Sequence, residues 1–165
     1  MTRRICIVVA DASRARLFVH ERETIVGGTR DELIEHDDLV NPARRLTNDK
    51  LLSDTRVGSN RAGDRHFGFD DHRDAHLDAL DDAFAREIAQ RFIALAKNVH
   101  ASRLVLCASP HMLGRLRQEL VGLDGWRIDE IAKDLVKLAA GDLRSQLADY
   151  GVLVRASRRV LNQRA

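Results

Sequence analysis

The stretch ICIVVADASRARLFVH, residues 5–20, indicates how the fold begins. Residues 4–10 and 15–20 are apolar and partly β-branched, and the polar segment Asp11–Arg14 between them has the composition of a tight turn. This pattern predicts a strand, a turn and a second strand. A Gly27-Gly28 reversal and a third apolar stretch at 32–40 extend the hairpin into an antiparallel meander of three strands.

Helices alternate with strands in the second half of the chain. Apolar residues between Asp74 and Val99 recur at spacings of three and four, which predicts a long helix with one buried face. We expect two more strands at 103–108 and 126–131. A second helix begins at Ser109-Pro110, where serine caps and proline occupies the first turn, and a third covers 138–150.

This element order predicts an α/β fold with a single mixed five-stranded sheet. The first three strands pair through hairpins, whereas the last two need parallel crossovers through helices. With the first strand central, the strand order is 3-2-1-4-5 with helices on both faces, as in ribonuclease H-like folds. We expect one domain over 1–150, with a long loop at about 41–74, and a basic tail at 151–165.

The composition is that of an ordinary globular protein. The 165 residues include 44% apolar and 32% charged side chains, and the net charge is only +2. No apolar run is long enough to cross a bilayer and no signal peptide is evident, so we expect a cytoplasmic protein that does not bind membranes. Cys6 and Cys107 lie in apolar runs and are expected to be buried, inert thiols.

Two segments concentrate positive charge. The predicted loop at 41–74 contains Gly58, Gly63 and Gly68, and its basic side chains outnumber its acidic ones up to His66. These basic residues are Arg44, Arg45, Lys50, Arg56, Arg61 and Arg65. The chain has no acidic residue after Asp149, and its tail carries Arg155, Arg158, Arg159 and Arg164.

Five stretches, in this order, resemble the bacterial host-attachment protein family. They are residues 9–18, 64–66, 84–89, 104–114 and 133–135, so the resemblance covers roughly 3–150 and leaves the tail outside. The first stretch contains the motif residues Asp11, Arg14 and Arg16. The resemblance implies a relationship to the middle domain of archaeal and eukaryotic release factors, with the sheet order given above.

Release factors of that class use a Gly-Gly-Gln loop in hydrolysis of peptidyl-tRNA, and this chain departs from their pattern. Its glutamines, Gln90, Gln118, Gln146 and Gln163, are predicted to lie in helices or in the tail. The leading hypothesis is therefore an RNA-associated binding module without catalysis, at the ribosome or on tRNA. Its predicted contacts are Arg56, Arg61, Arg65 and His66 in the loop, with Arg158 and Arg159 in the tail.

Other functions remain open at this point. A regulatory or interaction protein would be linked to attachment only indirectly. A metal-dependent hydrolase would need several carboxylates, and Asp11 alone is well placed, although a turn-forming role explains it better. His72 and His76 are four apart, but no third and fourth ligand follows at fixed spacing, so we expect no metal or cofactor. The oligomeric state is not predicted.

Overall fold

The central strand of the fold is β1 (Thr2–Ala10), whose last five residues are fully buried. The structure, a computed structural model, describes residues 2–44 and 69–155, with side chains from residue 74 onward in the second range. The other strands are β2 (Arg14–Ile25), β3 (Gly28–Val40), β4 (Arg103–Ala108) and β5 (Arg127–Ile131). The helices are α1 (Phe69–Asn98), α2 (Pro110–Glu119) and α3 (Ala140–Asp149).

These strands form one mixed sheet in the order β3-β2-β1-β4-β5, which confirms the predicted topology. β1 pairs antiparallel with β2 and parallel with β4, so Ile5 is the partner of both His20 and Arg103. The carboxyl ends of β1, β3, β4 and β5 consequently share one end of the sheet, and their amino ends share the other. A register shift at Leu17/Phe18 introduces a bulge between β2 and β3.

Each face of the sheet has its own apolar core because side chains alternate along each strand. On β1, Cys6, Val8 and Ala10 belong to the core packed under α1 and α2. Ile7 and Val9 belong to the opposite core, which α3 and the residues before it cover. Helices therefore lie on both faces, as predicted. Within the described ranges, no helix has the length and apolar character needed to cross a membrane.

Local details differ from the sequence predictions. α1 begins at Phe69 rather than Asp74, and residues 42–44 are also helical, so both ends of the predicted loop contain helix. Aspartates in the first turn favour the earlier start through the helix dipole. Ser109 occupies the predicted N-cap position before Pro110, but its side chain makes no capping hydrogen bond. Its backbone N–H instead donates to the carbonyl of Ala10 at 3.1 Å.

Both cysteines are buried free thiols, as the sequence predicts. Burial raises the pKa of Cys6 to about 12, and burial together with the nearby charge of Asp134 raises the pKa of Cys107 to about 12. Neither sulfur is therefore a thiolate at neutral pH.

Candidate anion-binding site

Asp11, the acid considered for catalysis, forms the turn between β1 and β2. Its Oδ1 accepts backbone hydrogen bonds from Ser13 and Arg14, each at 2.7 Å. This is an Asx-turn, the role that the sequence favoured. Among the residues with described side chains, no cluster of three or more histidine, cysteine or acidic residues is arranged to hold a metal. Asp11 therefore belongs to no cluster of metal-binding groups in the part of the chain whose side chains are described.

Arg14 and Arg16, the other motif residues, hold strands together. Arg14 pairs with Asp38 of β3 at 2.5 Å. The guanidinium of Arg16 is bound to both oxygens of Glu35, at 2.9 and 2.7 Å, and lies 4.9 Å over the ring of Phe18. Its Nη1 also donates to the carbonyls of Val136 and Leu138, just before α3. Both arginines are thus paired within the protein, Arg16 in a buried position and Arg14 at the surface.

Arg44, one of the basic residues of the predicted loop, is likewise committed. Its Nη2 binds Oδ2 of Asp81 at 2.5 Å, and Asp81 on α1 is only 1% exposed. Nδ2 of Asn41 also donates to Asp81, at 3.3 Å. Arg44 therefore anchors the end of β3 to α1. The other predicted contacts, Arg56, Arg61, Arg65, His66, Arg158 and Arg159, lie outside the described residues.

A cavity of about 560 Å³ lies at the amino end of the sheet, on the face that α3 covers. Strands β1, β2 and β4 form its floor, and the chain after α3 forms its wall. Its lining residues are Arg3, Ile5, His20, Arg22, Thr24, Arg103, Val152, Leu153 and Val154. The lining thus combines arginine side chains with apolar ones, as in sites that bind small charged molecules.

Two of these arginines face each other across the hairpin. Arg3 and Arg22 are register partners in the antiparallel ladder of β1 and β2. Side chains at such positions start about 5 Å apart, and like charges there destabilise the sheet. Neither guanidinium has a hydrogen-bond or ion-pair partner among the described residues, although Asp31 of β3 is the register partner of Arg22 on its other side. An anion between them would relieve the repulsion and accept hydrogen bonds from both.

Arg103 fixes the wall of the cavity. Its Nε binds the carboxylate of Asp129 on β5, and its Nη1 donates to the carbonyl of Val152 at 3.0 Å. The hydrogen bond between Arg103 and Asp129, opposed by partial burial, lowers the pKa of Asp129. Arg103 therefore joins Val152 to β4 and β5.

His20 is the most buried polar residue of the cavity, at 3% exposure. Its Nε2 lies 2.8 Å from Oδ1 of Asp31 on β3, and Arg144 of α3 binds the same oxygen at 2.6 Å. Burial would raise the pKa of Asp31, but the hydrogen bonds from Arg144 and His20 outweigh it and leave that pKa below its ordinary value. Because a carboxylate only accepts, Nε2 carries the proton and Nδ1 is left without a described partner.

Positive charge exceeds negative charge around this cavity. Arg3, Arg22, Arg103 and Arg144 contribute guanidinium groups, and the nearby carboxylates Asp31 and Asp129 compensate for two of them. Arginine is suited to planar, bidentate binding of phosphate and carboxylate oxygens. The arrangement can bind an anion but places no nucleophile and general base together among the described residues.

The sequence patterns do not predict this site. Arg3 and Ile5 alternate on β1, as do His20, Arg22 and Thr24 on β2, but such polar strand ends are typical of solvated sheet edges. The pairing of Arg3 with Arg22 follows once the hairpin register is known, and the short Asp11 turn was the available signal for that register.

Most of the chain is similar to known proteins. A family model described as "Protein required for attachment to host cells" matches residues 6–147. No curated protein matches the sequence. Among solved structures, the chain is similar to the type II variant of the Aquifex aeolicus Ppx/GppA phosphatase, with a TM-score of 0.41 and 10% identity over 78% of this chain and 35% of that one. A second structure of an Aquifex aeolicus PPX-GPPA enzyme gives a TM-score of 0.41 and 11% identity, over 79% and 36% of the two chains. The chain thus spans about a third of the length of those proteins.

Proposed function

Since this chain belongs to the family of proteins required for attachment to host cells, we propose that it contributes to attachment indirectly, as an RNA-binding module at the ribosome or on tRNA. The observation that carries the proposal is the pair Arg3 and Arg22, which face each other at the cavity without partners among the described residues. Phosphate groups are the RNA feature that such a site recognises, because contacts to phosphates position a protein without reading sequence.

The basic tail supports the same location. Arg155 lies next to Val154 of the cavity wall, and Arg158 and Arg159 follow it within four positions. Arg155 itself pairs with Asp149 at 3.3 Å, so we propose Arg158 and Arg159, which lie outside the described residues, as the tail contacts to a phosphate backbone.

The predicted loop contacts start from the other end of the sheet. The described residues on either side of the loop are Arg44, which follows β3, and Phe69, which begins α1. β1 has nine residues, so its two ends are about 30 Å apart. Arg56, Arg61, Arg65 and His66 lie outside the described residues, and we propose them as a second set of RNA contacts that is tested separately from the amino-end site.

RNA binding is tested with single-stranded RNA in fluorescence anisotropy and with ribosomes in low-salt sedimentation. The double variant Arg3→Gln/Arg22→Gln should weaken both. It should also lower the slope of log affinity against log salt by about 1.4, because two phosphate contacts are lost. Arg86→Gln is the matched control, because Arg86 lies on α1 and pairs with Glu119, on the other face of the sheet. Equal binding by wild type and double variant would reject the proposal.

An interaction protein is the second candidate, because the edge strand β3 is long and partly apolar. It has 13 residues, and no described strand pairs with its outer side. Ile34 and Val40 are exposed on it, which suits addition of a partner strand. Gradient fractionation of cell extract separates the two functions: RNA binding gives salt-sensitive sedimentation with ribosomes, whereas a light, salt-indifferent fraction favours the interaction protein.

A further inference from the structure

The amino-end cavity is a recess bounded by a floor and a wall. Ile5 and His20 lie at its floor, and Val152–Val154 form a wall that two arginines tie in place. Arg103 donates to the carbonyl of Val152 at 3.0 Å, and Arg144 donates to that of Val154 at 3.5 Å. These bonds position the wall before any ligand arrives, which reduces the entropy lost on binding.

The size of the cavity suits one nucleotide unit. Its volume of about 560 Å³ lies in the range of small-molecule sites and is too small for a folded RNA element. Its arginines line the side formed by the strands, while Ile5, Val152 and Leu153 offer an apolar surface for a base or sugar. An RNA chain can place its end in such a recess. An internal phosphate is bonded to nucleotides on both sides, and both would have to extend out of the recess.

The charge of the recess suits a terminal phosphate. A phosphate monoester carries between one and two negative charges near neutral pH and has three free oxygens, whereas an internal phosphodiester carries one charge. Arg3 and Arg22 supply two guanidinium groups that make no ion pair with a described residue. His20, 3% exposed, lies at the floor. Its unpartnered Nδ1 has no hydrogen while Nε2 has one, so it can accept a hydrogen bond from the O–H of a singly protonated phosphate monoester, a donor that a phosphodiester lacks.

We propose that this recess binds the terminal phosphate of an RNA chain, with Arg3 and Arg22 on the phosphate oxygens and His20 at its base. This inference rests on the RNA-binding function proposed above and adds selectivity for a phosphorylated end. Ile5 and the Val152–Val154 wall hold the terminal nucleoside. Nε2 of His20 stays with Asp31, and Asp31 stays with Arg144, so the ring is oriented from β3 and α3.

The test compares three forms of one short single-stranded RNA: with a 5′-phosphate, with a 3′-phosphate and with hydroxyl groups at both ends. The full chain should bind one phosphorylated form about tenfold more tightly than the hydroxyl form, because charge-assisted hydrogen bonds are gained. Inorganic phosphate should compete with that form only. If all three forms bind equally, selectivity for the end is wrong and RNA binding stands; if none binds, both proposals fail.

His20→Gln isolates the role of the ring. Glutamine retains a donor near the position of Nε2 for Asp31 and removes Nδ1. The variant should lose the preference for the phosphorylated end and keep its affinity for the hydroxyl form, while His36→Gln, at an exposed position of β3 outside the recess, leaves the preference unchanged. If the folded His20→Gln protein still preferred the phosphorylated end, His20 would have no role in binding the phosphate. The wild-type comparison remains decisive if that variant does not fold.

Discussion

Arg3 of β1 and Arg22 of β2 stand directly opposite each other in the antiparallel ladder, and neither makes an ion pair or hydrogen bond with a described residue, although Asp31 of β3 is the register partner of Arg22 on its other side. Evolution of a stable sheet alone would not favour this pair, since like charges at facing positions repel. Sites that bind ligands commonly retain such local instability because the ligand compensates for it.

The first prediction concerns the free energy of unfolding. Arg3→Gln should stabilise the free protein by about 0.5 kcal/mol, because it removes the repulsion from Arg22, whereas Arg22→Gln should gain less, because Asp31 faces Arg22 on β3 and that attraction is lost as well. The double variant should gain little beyond either single variant, since the interaction can be removed only once. Urea unfolding measures all three. Arg30→Gln is the control, because Arg30 pairs with Glu32 on an exposed surface and its loss relieves no repulsion. Destabilisation by both single variants would contradict the prediction.

The second prediction concerns Arg16, whose side chain is 10% exposed. Arg16→Lys should lower the free energy of unfolding by about 2 kcal/mol, because lysine cannot bind both oxygens of Glu35 and the carbonyls of Val136 and Leu138 together. Thermal and urea unfolding give the value.

The matched control for Arg16 is Arg14→Lys on the same strand. Arg14 is 43% exposed and binds Asp38 in contact with solvent. Its replacement should cost less than about 1 kcal/mol. Similar losses at the two positions would show that the carbonyl contacts of Arg16 contribute nothing.

The third prediction concerns Asp81 on α1, which is 1% exposed and accepts from both Arg44 and Asn41. Asp81→Ala should destabilise the protein by about 2–3 kcal/mol, because it leaves buried donors without an acceptor. Asp82→Ala removes the neighbouring carboxylate, which is 52% exposed and pairs with Arg115, and should cost less than about 1 kcal/mol. Chemical unfolding at neutral pH compares them, and a larger loss for Asp82→Ala would overturn the assignment.

The fourth prediction concerns pH. The hydrogen bond from Arg16, opposed by partial burial, lowers the pKa of Glu35 in the folded protein. The unfolded chain then binds a proton first as the pH falls, so this contribution to stability is complete above the ordinary glutamate pKa of about 4.3 and is lost below it. Wild type should exceed Glu35→Gln in stability near pH 7, and the difference should shrink towards pH 3. A difference that grew with acid would reverse the sign.

Several structural features could be predicted because they depend on local patterns. The alternation of apolar residues around Asp11, with the turn chemistry of Asp11–Arg14, fixed the first hairpin, and the Asx-turn is present as expected. The need for parallel crossovers then placed β1 at the centre of the sheet. Cys6 and Cys107 were expected to be buried, and they are.

The candidate site could not be predicted in the same way. It joins Arg3, Arg22 and Arg103, which lie up to 100 positions apart in the chain and belong to no recognisable motif. The charge-based prediction instead selected the loop and tail, where arginines are close together in sequence. One member of that loop set, Arg44, is paired with Asp81 inside the fold.

From its sequence alone, this chain specifies strands, helices and their order, since hydrophobic periodicity and turn chemistry act over a few neighbouring residues. The tertiary structure alone decides which of its many arginines are neutralised and which are not. Arg16 finds Glu35 and Arg44 finds Asp81, whereas Arg3 meets Arg22, because strand register and helix packing determine the distance between charges. Electrostatic energy depends on that distance and on burial, and neither quantity can be read from the order of residues in the sequence.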